Sequence, residues 1–113
     1  MCLFCDIAAG KIPSAKVYEN DYVYCFKDIN PVAPVHVLVV PKKHFGNMNE
    51  MAADPEGALY SAEITKAIAE VAKITGVSDA YRTINNCGEG AGQTVMHVHF
   101  HVIGGTTLTE KLI

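Results

Sequence analysis

Near the C-terminus His97, His99 and His101 alternate with Val98, Phe100 and Val102. Strand side chains repeat every two residues, so this spacing sets all three imidazoles on one side, about 6.5–7 Å apart, with the apolar residues opposite. Imidazole brings little apolar area and needs hydrogen-bond partners when buried. Packing alone therefore accounts poorly for three of the chain's five histidines in one pentapeptide. Two chemistries fit the spacing: a catalytic zinc on His-x-His, or one nucleophilic imidazole aimed by its neighbours. The preceding loop carries Gly88, Gly90 and Gly92, which permit close backbone approach and an anion-binding concavity of N–H groups. Gln93 and Thr94 add neutral donors. No Lys-Ser/Thr pair follows as in a Walker loop, and a strand rather than a helix comes next, unlike a Rossmann turn. Glycines and histidines together point to a phosphoryl group, and phosphoryl transfer is the favoured reading.

The elements that must position these groups are legible in outline. A short helical turn over 5–9 ends at Gly10. Residues 17–18 and 22–27 read as strands around the turn Glu19-Asn20-Asp21, and 36–40 as a third strand whose unbroken apolar run suits a central place. One long helix is expected from the N-cap Asp54, with Pro55 first inside, to the C-cap Gly76. Its buried stripe is Tyr60, Ile64, Ala67, Ile68, Val71 and Ile74, opposite Glu63, Lys66, Glu70 and Lys73. Strands over 81–86 and 95–103 follow. The fold class is α+β: a mostly antiparallel sheet of about five strands, one long helix and a short N-terminal helix.

Composition bounds the function. At 113 residues, 50% hydrophobic and 19% charged, the chain reads as a single domain, 1–113, with a sizeable core. Nine Lys+Arg against twelve Asp+Glu give −3, which argues against nucleic-acid or anionic-membrane binding by bulk positive charge. No apolar run is long enough to span a bilayer and no secretory signal stands at the start, so a cytoplasmic location is expected. There, four cysteines are more naturally thiols or metal ligands than disulfides.

The run His97-Val98-His99-Phe100-His101-Val102-Ile103 resembles the signature of the histidine triad (HIT) family. Further matches are Gly10-Lys11-Ile12-Pro13, Asp28-Ile29-Asn30-Pro31, Ala33-Pro34-Val35-His36, Pro41-Lys42-Lys43-His44 and Gly92-Gln93-Thr94-Val95. The branch resembled is that of the Hint-like purine nucleoside phosphoramidases; the galactose-1-phosphate uridylyltransferase branch normally has Gln where His101 stands.

The resemblance implies hydrolysis of purine nucleoside 5′-phosphate derivatives, conjugates of AMP or GMP, with His99 as nucleophile. His101 would stabilise charge on the phosphate, His97 would be the first member of the triad, and His36 would support it by hydrogen bonding. Asn86, Gly92, Gln93 and Thr94 would hold phosphate oxygens or the leaving group. Asp28 would take the ribose hydroxyls, and Leu3, Phe4, Phe26, Ile29 and Leu38 would form the slot for the base. By the same resemblance Cys2, Cys5, His44 and His97 match a structural Zn²⁺ set beside the active centre, and the sheet would continue across a homodimer. The branch commonly ends in a Trp-containing tail, whereas this chain has no Trp and closes on Thr106 to Ile113. A dinucleoside polyphosphate hydrolase and a nucleotide-binding scaffold without turnover stay open as alternatives.

Overall fold

The computed structural model describes residues 2–112; Met1 and the last residue of the C-terminal tail, Ile113, lie outside them. Helix α1 (Leu3–Ala8) is followed by strands β1 (Lys16–Glu19), β2 (Val23–Lys27) and β3 (Val35–Pro41). Then come helices α2 (Met48–Ala53) and α3 (Gly57–Thr75), strand β4 (Tyr81–Ile84), a 3₁₀ turn at Glu89–Ala91, and strand β5 (Phe100–Gly104). The five strands form one sheet, ordered β1-β2-β3-β5-β4, with every neighbouring pair antiparallel.

The apolar run in β3 is explained by its central place, because both of its faces are covered. Val37 and Val39 join Val23, Cys25, Val98 and Val102 against Ile64, Ala67 and Val71 of α3. Leu38 and Val40 point the other way and pack with Phe4, Ile7, Tyr24 and Phe26 under α1. Strand periodicity thus sorts the sheet into a mainly apolar face beneath the long helix and a second face that also carries the histidines.

Three boundaries differ from the sequence reading. Helix α1 starts two residues earlier because the Cys2 thiol accepts from the Cys5 amide at its N-terminus. The long helix starts at Gly57 rather than just after Asp54, because a separate helix, α2, precedes it. Asp54 closes α2 with its amide and accepts the Glu56 amide on its side chain at 2.8 Å. A Cβ on Gly57 would lie 1.9 Å from the Met51 carbonyl oxygen, so only glycine lets the two helices meet this closely.

The last strand begins at Phe100, not at Val95. Upstream, the His97 amide turns back to the Val95 carbonyl at 2.9 Å, and the Val98 amide leaves the sheet for Phe45 O at 2.7 Å. Likewise β4 stops at Ile84, two residues short of Asn86. The predicted C-cap Gly76 is in place, in the left-handed conformation. Ile74, expected in the buried stripe of α3, is exposed; it lies in the last turn of the helix and borders an open cavity with Val17 and Val35.

Candidate functional site

The bends at 95–99 leave the three histidines in three different settings. His97 is fully buried: its Nε2–H donates to Pro41 O at 2.8 Å, which leaves the lone pair on Nδ1. His99 is 6% exposed, and its Nδ1–H donates to the His97 carbonyl at 2.8 Å. The lone pair of His99 is therefore on Nε2, which has no protein partner. Among the described residues no buried side-chain nitrogen or oxygen lacks a partner, so this nitrogen opens to solvent. The Phe4 ring meets His99 edge-on, centroids 5.0 Å apart, and fixes the ring plane.

His101, inside β5, is ordered by a second chain of donors. The Val32 amide donates to His36 Nδ1 at 3.1 Å, which places the His36 hydrogen on Nε2. That nitrogen lies 2.8 Å from His101 Nδ1 and donates to it, so His101 carries its own hydrogen on Nε2. His99 and His101 are 5.2 Å apart between centroids. One thus presents a lone pair and its neighbour an N–H. Asp28 Oδ2 is 3.5 Å from His36 Nε2, while Oδ1 accepts the Asn30 amide at 2.8 Å in the turn that follows β2. Asp28, His36 and His101 gather three possible metal donors, but the hydrogen on His36 Nε2 removes that atom as a ligand.

Burial keeps these rings neutral. It is the main cause that pushes His101 down to about 4, with His99 and His36 adding to it. It also lowers His99, where the hydrogen bond to His97 O and the charge of Asp28 oppose the shift. An imidazole that resists protonation keeps its lone pair in mildly acidic solution.

The glycine loop departs from the expected anion cradle. Gly88 and Gly92 do adopt positive φ, 90° and 94°, but the turn is bonded to itself. Ala91 N–H and Gln93 N–H both reach Gly88 O, and Gly92 N–H reaches Glu89 O. Gln93 is buried and wholly committed: its Oε1 accepts Gly88 N–H at 2.8 Å, and its Nε2 donates to Gly46 O at 2.7 Å and Val95 O at 3.0 Å. Its side chain braces the loop and has no hydrogen left for a phosphate. The amides of Glu89 and Gly90 in the loop, and of Thr94, Val95 and Met96 after it, have no acceptor among the described residues. Thr94 is exposed and Asn86 half-buried, its Nδ2 3.7 Å from where a Cβ on Gly92 would lie.

Of the residues expected around a base, Phe4, Phe26 and Leu38 are core, with Phe4 and Phe26 edge-to-face at 5.6 Å. Leu3 (48%) and Ile29 (92%) are exposed. One contact had no sequence signal beyond an Asn-Asn pair at a strand end: Asn85 Nδ2 donates to the His99 carbonyl at 2.9 Å.

A second cluster adjoins the first through His97. Cys2 Sγ, Cys5 Sγ, His44 Nδ1 and His97 Nδ1 lie within 4.8 Å of one another. The shorter separations run from 3.2 Å, between the two nitrogens, to 3.5 Å, from Cys5 Sγ to His97 Nδ1. Burial, followed by the hydrogen bond with Cys2, pushes the Cys5 thiol up to about 11, and burial takes His97 down to about 4. Two soft sulfurs and two imidazole nitrogens gathered this closely could hold a metal ion.

The family model of the HIT domain matches residues 9–108. The chain belongs to the HIT family. Protein HitA of Neisseria gonorrhoeae is 44% identical over 103 residues, which cover 91% of this chain and 94% of that protein. A HIT family hydrolase from Legionella pneumophila superposes with a TM-score of 0.91 at 38% identity over 97% of both chains. A histidine triad nucleotide-binding protein from Candida albicans superposes at 0.82 with 30% identity, covering all of this chain and 87% of that one. The antiparallel sheet with one long helix and the short helices α1 and α2 is therefore the HIT fold. No helix among the described residues is long and apolar enough to cross a membrane.

Proposed function

We propose that residues 1–113 form one HIT domain that hydrolyses purine nucleoside 5′-phosphoramidates, or related conjugates of AMP or GMP, through a nucleotidyl intermediate on His99. The observation that carries this reading is the solvent-open Nε2 of His99, whose other nitrogen is committed to the His97 carbonyl. Nε2 attacks the α-phosphorus and the P–N bond breaks. The amine leaves with that electron pair and takes up a proton from solvent. Water then attacks phosphorus and gives up a proton to solvent, the His99–phosphorus bond breaks with its electron pair returning to Nε2, and a nucleoside monophosphate departs. The Nε2–H of His101 donates to a non-bridging oxygen as charge builds, together with Thr94, Asn86 and the free amides of residues 94–96. Asp28 accepts from the ribose, and the apolar residues Leu3, Phe4, Phe26, Ile29 and Leu38 receive the purine. A hydrolase and a nucleotide-binding protein among the similar structures support the same reading.

The thiol–imidazole cluster fits Zn²⁺. Zn–S near 2.3 Å and Zn–N near 2.0–2.1 Å at tetrahedral angles set ligand atoms about 3.3–3.8 Å apart, close to the separations already present. The bond from His97 Nε2 to Pro41 O is the outer contact that aims a ligating imidazole. Zinc there would tie the N-terminus to the sheet and hold His97, with no part in the bond changes. Free cysteines suit a cytoplasmic setting. A homodimer is the remaining element: β4 is a sheet edge, and beside it a groove of about 530 Å³ is lined by Met48, Ile64, Ile68, Tyr81 and Phe100. A second copy would cover the groove and pair the edge.

With adenosine 5′-phosphoramidate, His99→Ala is expected to lower kcat by about 10³-fold or more while AMP still binds; equal turnover by both proteins would reject the reading. Because burial opposes protonation of His99 and His101, the acid limb of kcat/KM is expected below the ordinary imidazole value near 6.5. Stability follows the same sign: the His101 contribution is present above about pH 6.5 and is lost as pH falls toward about 4. A rate that already falls at pH 7 would contradict neutral buried rings. Elemental analysis of protein purified without chelator is expected to give about one zinc per chain, lost in Cys2→Ser with a lower Tm; wild type with none would exclude the site. Light scattering is expected to read about twice the 12.2 kDa chain mass, and Ile68→Arg to halve it; a wild-type monomer would overturn the dimer.

A further inference from the structure

We infer that Asn85 is a positioning residue for His99, acting through the main chain of the nucleophile. The β4–β5 ladder pairs Tyr81 with Gly104, Arg82 with Ile103, Thr83 with Val102 and Ile84 with His101. One further step would set Asn85 opposite Phe100, and the step after it Asn86 opposite His99. Backbone pairing stops short of both. At that point the Asn85 side-chain amide donates to the His99 carbonyl at 2.9 Å. A side chain thus supplies the rung that the strand no longer provides. The carbonyl acceptor also fixes which end of the amide faces it, because only Nδ2 can donate.

Replacing a backbone rung by a side-chain rung has a consequence. A continued strand would draw residues 95–99 into the ladder and occupy their amides and carbonyls. The His97 carbonyl would then point to the neighbouring strand rather than to the His99 ring. With Asn85 in place, His99 is held at three points: its ring hydrogen on His97 O, its ring face against Phe4, and its own carbonyl on Asn85. The chain just before it stays free of the sheet. His36 and the glycine loop, by contrast, touch neither the carbonyl nor the ring hydrogen of His99.

This rests on His99 as the attacking group, so the test carries a control for that reading. Adenosine 5′-phosphoramidate turnover is compared in wild type, His99→Ala, Asn85→Asp and Asn85→Gln. Asn85→Asp keeps the shape but loses the donor. It is expected to lower kcat about 10-fold or more with little change in KM, since small displacements of a reacting group are costly. Asn85→Gln keeps a donor and is expected to recover most of the rate, and AMP binding and Tm of both variants are expected to stay near wild type. A fall in Tm with unchanged kcat per folded enzyme would assign Asn85 to sheet stability alone and overturn the inference. So would an Asp variant as fast as wild type while His99→Ala is inactive. Turnover retained in His99→Ala would instead reject the nucleophile.

Discussion

The hydrogen bond from the His99 ring to the carbonyl two residues before it, 2.8 Å long, is the contact on which the site depends. It sets the tautomer, and the tautomer decides which nitrogen faces solvent. A carbonyl inside an antiparallel ladder is committed to the next strand, so this one must lie outside the ladder. The turn of the His97 amide onto Val95 and the escape of the Val98 amide to Phe45 achieve that. Both depend on His97 being pulled inward, with its ring on Pro41 and its other nitrogen toward two thiols. The irregular backbone at 95–99 is thus what makes a histidine-rich segment chemically directional.

Direction is the common property of the buried polar groups. The hydrogen bonds run one way, from the Val32 amide to His36, from His36 to His101, and from His101 outward. Neutral rings are cheaper to bury than charged ones, and a neutral ring that accepts at one nitrogen must donate from the other. Burial and alignment therefore reinforce each other. Gln93 serves the same end without facing a ligand: its three bonds join the glycine loop, the segment after β3 and the bend before the histidines. Breaking one member of such a network leaves its partner buried and unmet, which costs more than the bond contributes when made.

Periodicity made the sheet and the sidedness of the histidines legible. Val37 to Val40 read as a strand covered on both faces, and Val98 and Val102 fell on the helix side as alternation requires. Periodicity is a local signal, however, and the features it missed are set by distant acceptors. Nothing near Val98 announces that Phe45 O will take its amide, and nothing near Gln93 announces Gly46 O. The glycines suggested an open anion cradle because flexibility is visible in a sequence, whereas the self-bonded turn they form is not. Asp54 reads as the N-cap of the long helix but is the C-cap of α2, which lies hidden in a short stretch with only Met51 buried, and Glu56 takes the N-cap of α3. Cys2, Cys5, His44 and His97 were gathered by family resemblance, since their separations of up to 95 residues carry no pattern.

Three of the four cysteines show how the two faces divide the work. Cys25 lies on the α3 face, and burial alone pushes its thiol up to about 12. It stays protonated and packs like any small apolar side chain. Cys5 is raised as well, to about 11, but part of the cause is its neighbour Cys2. A thiolate there is opposed by burial and by a second sulfur, and a cation between the two relieves both. The same reasoning covers His97, whose protonated form is opposed by burial while its lone pair faces the sulfurs. The α3 face holds the sheet together by apolar packing, with Cys25 kept as a thiol. The α1 face gathers groups for which ionisation is costly without a partner.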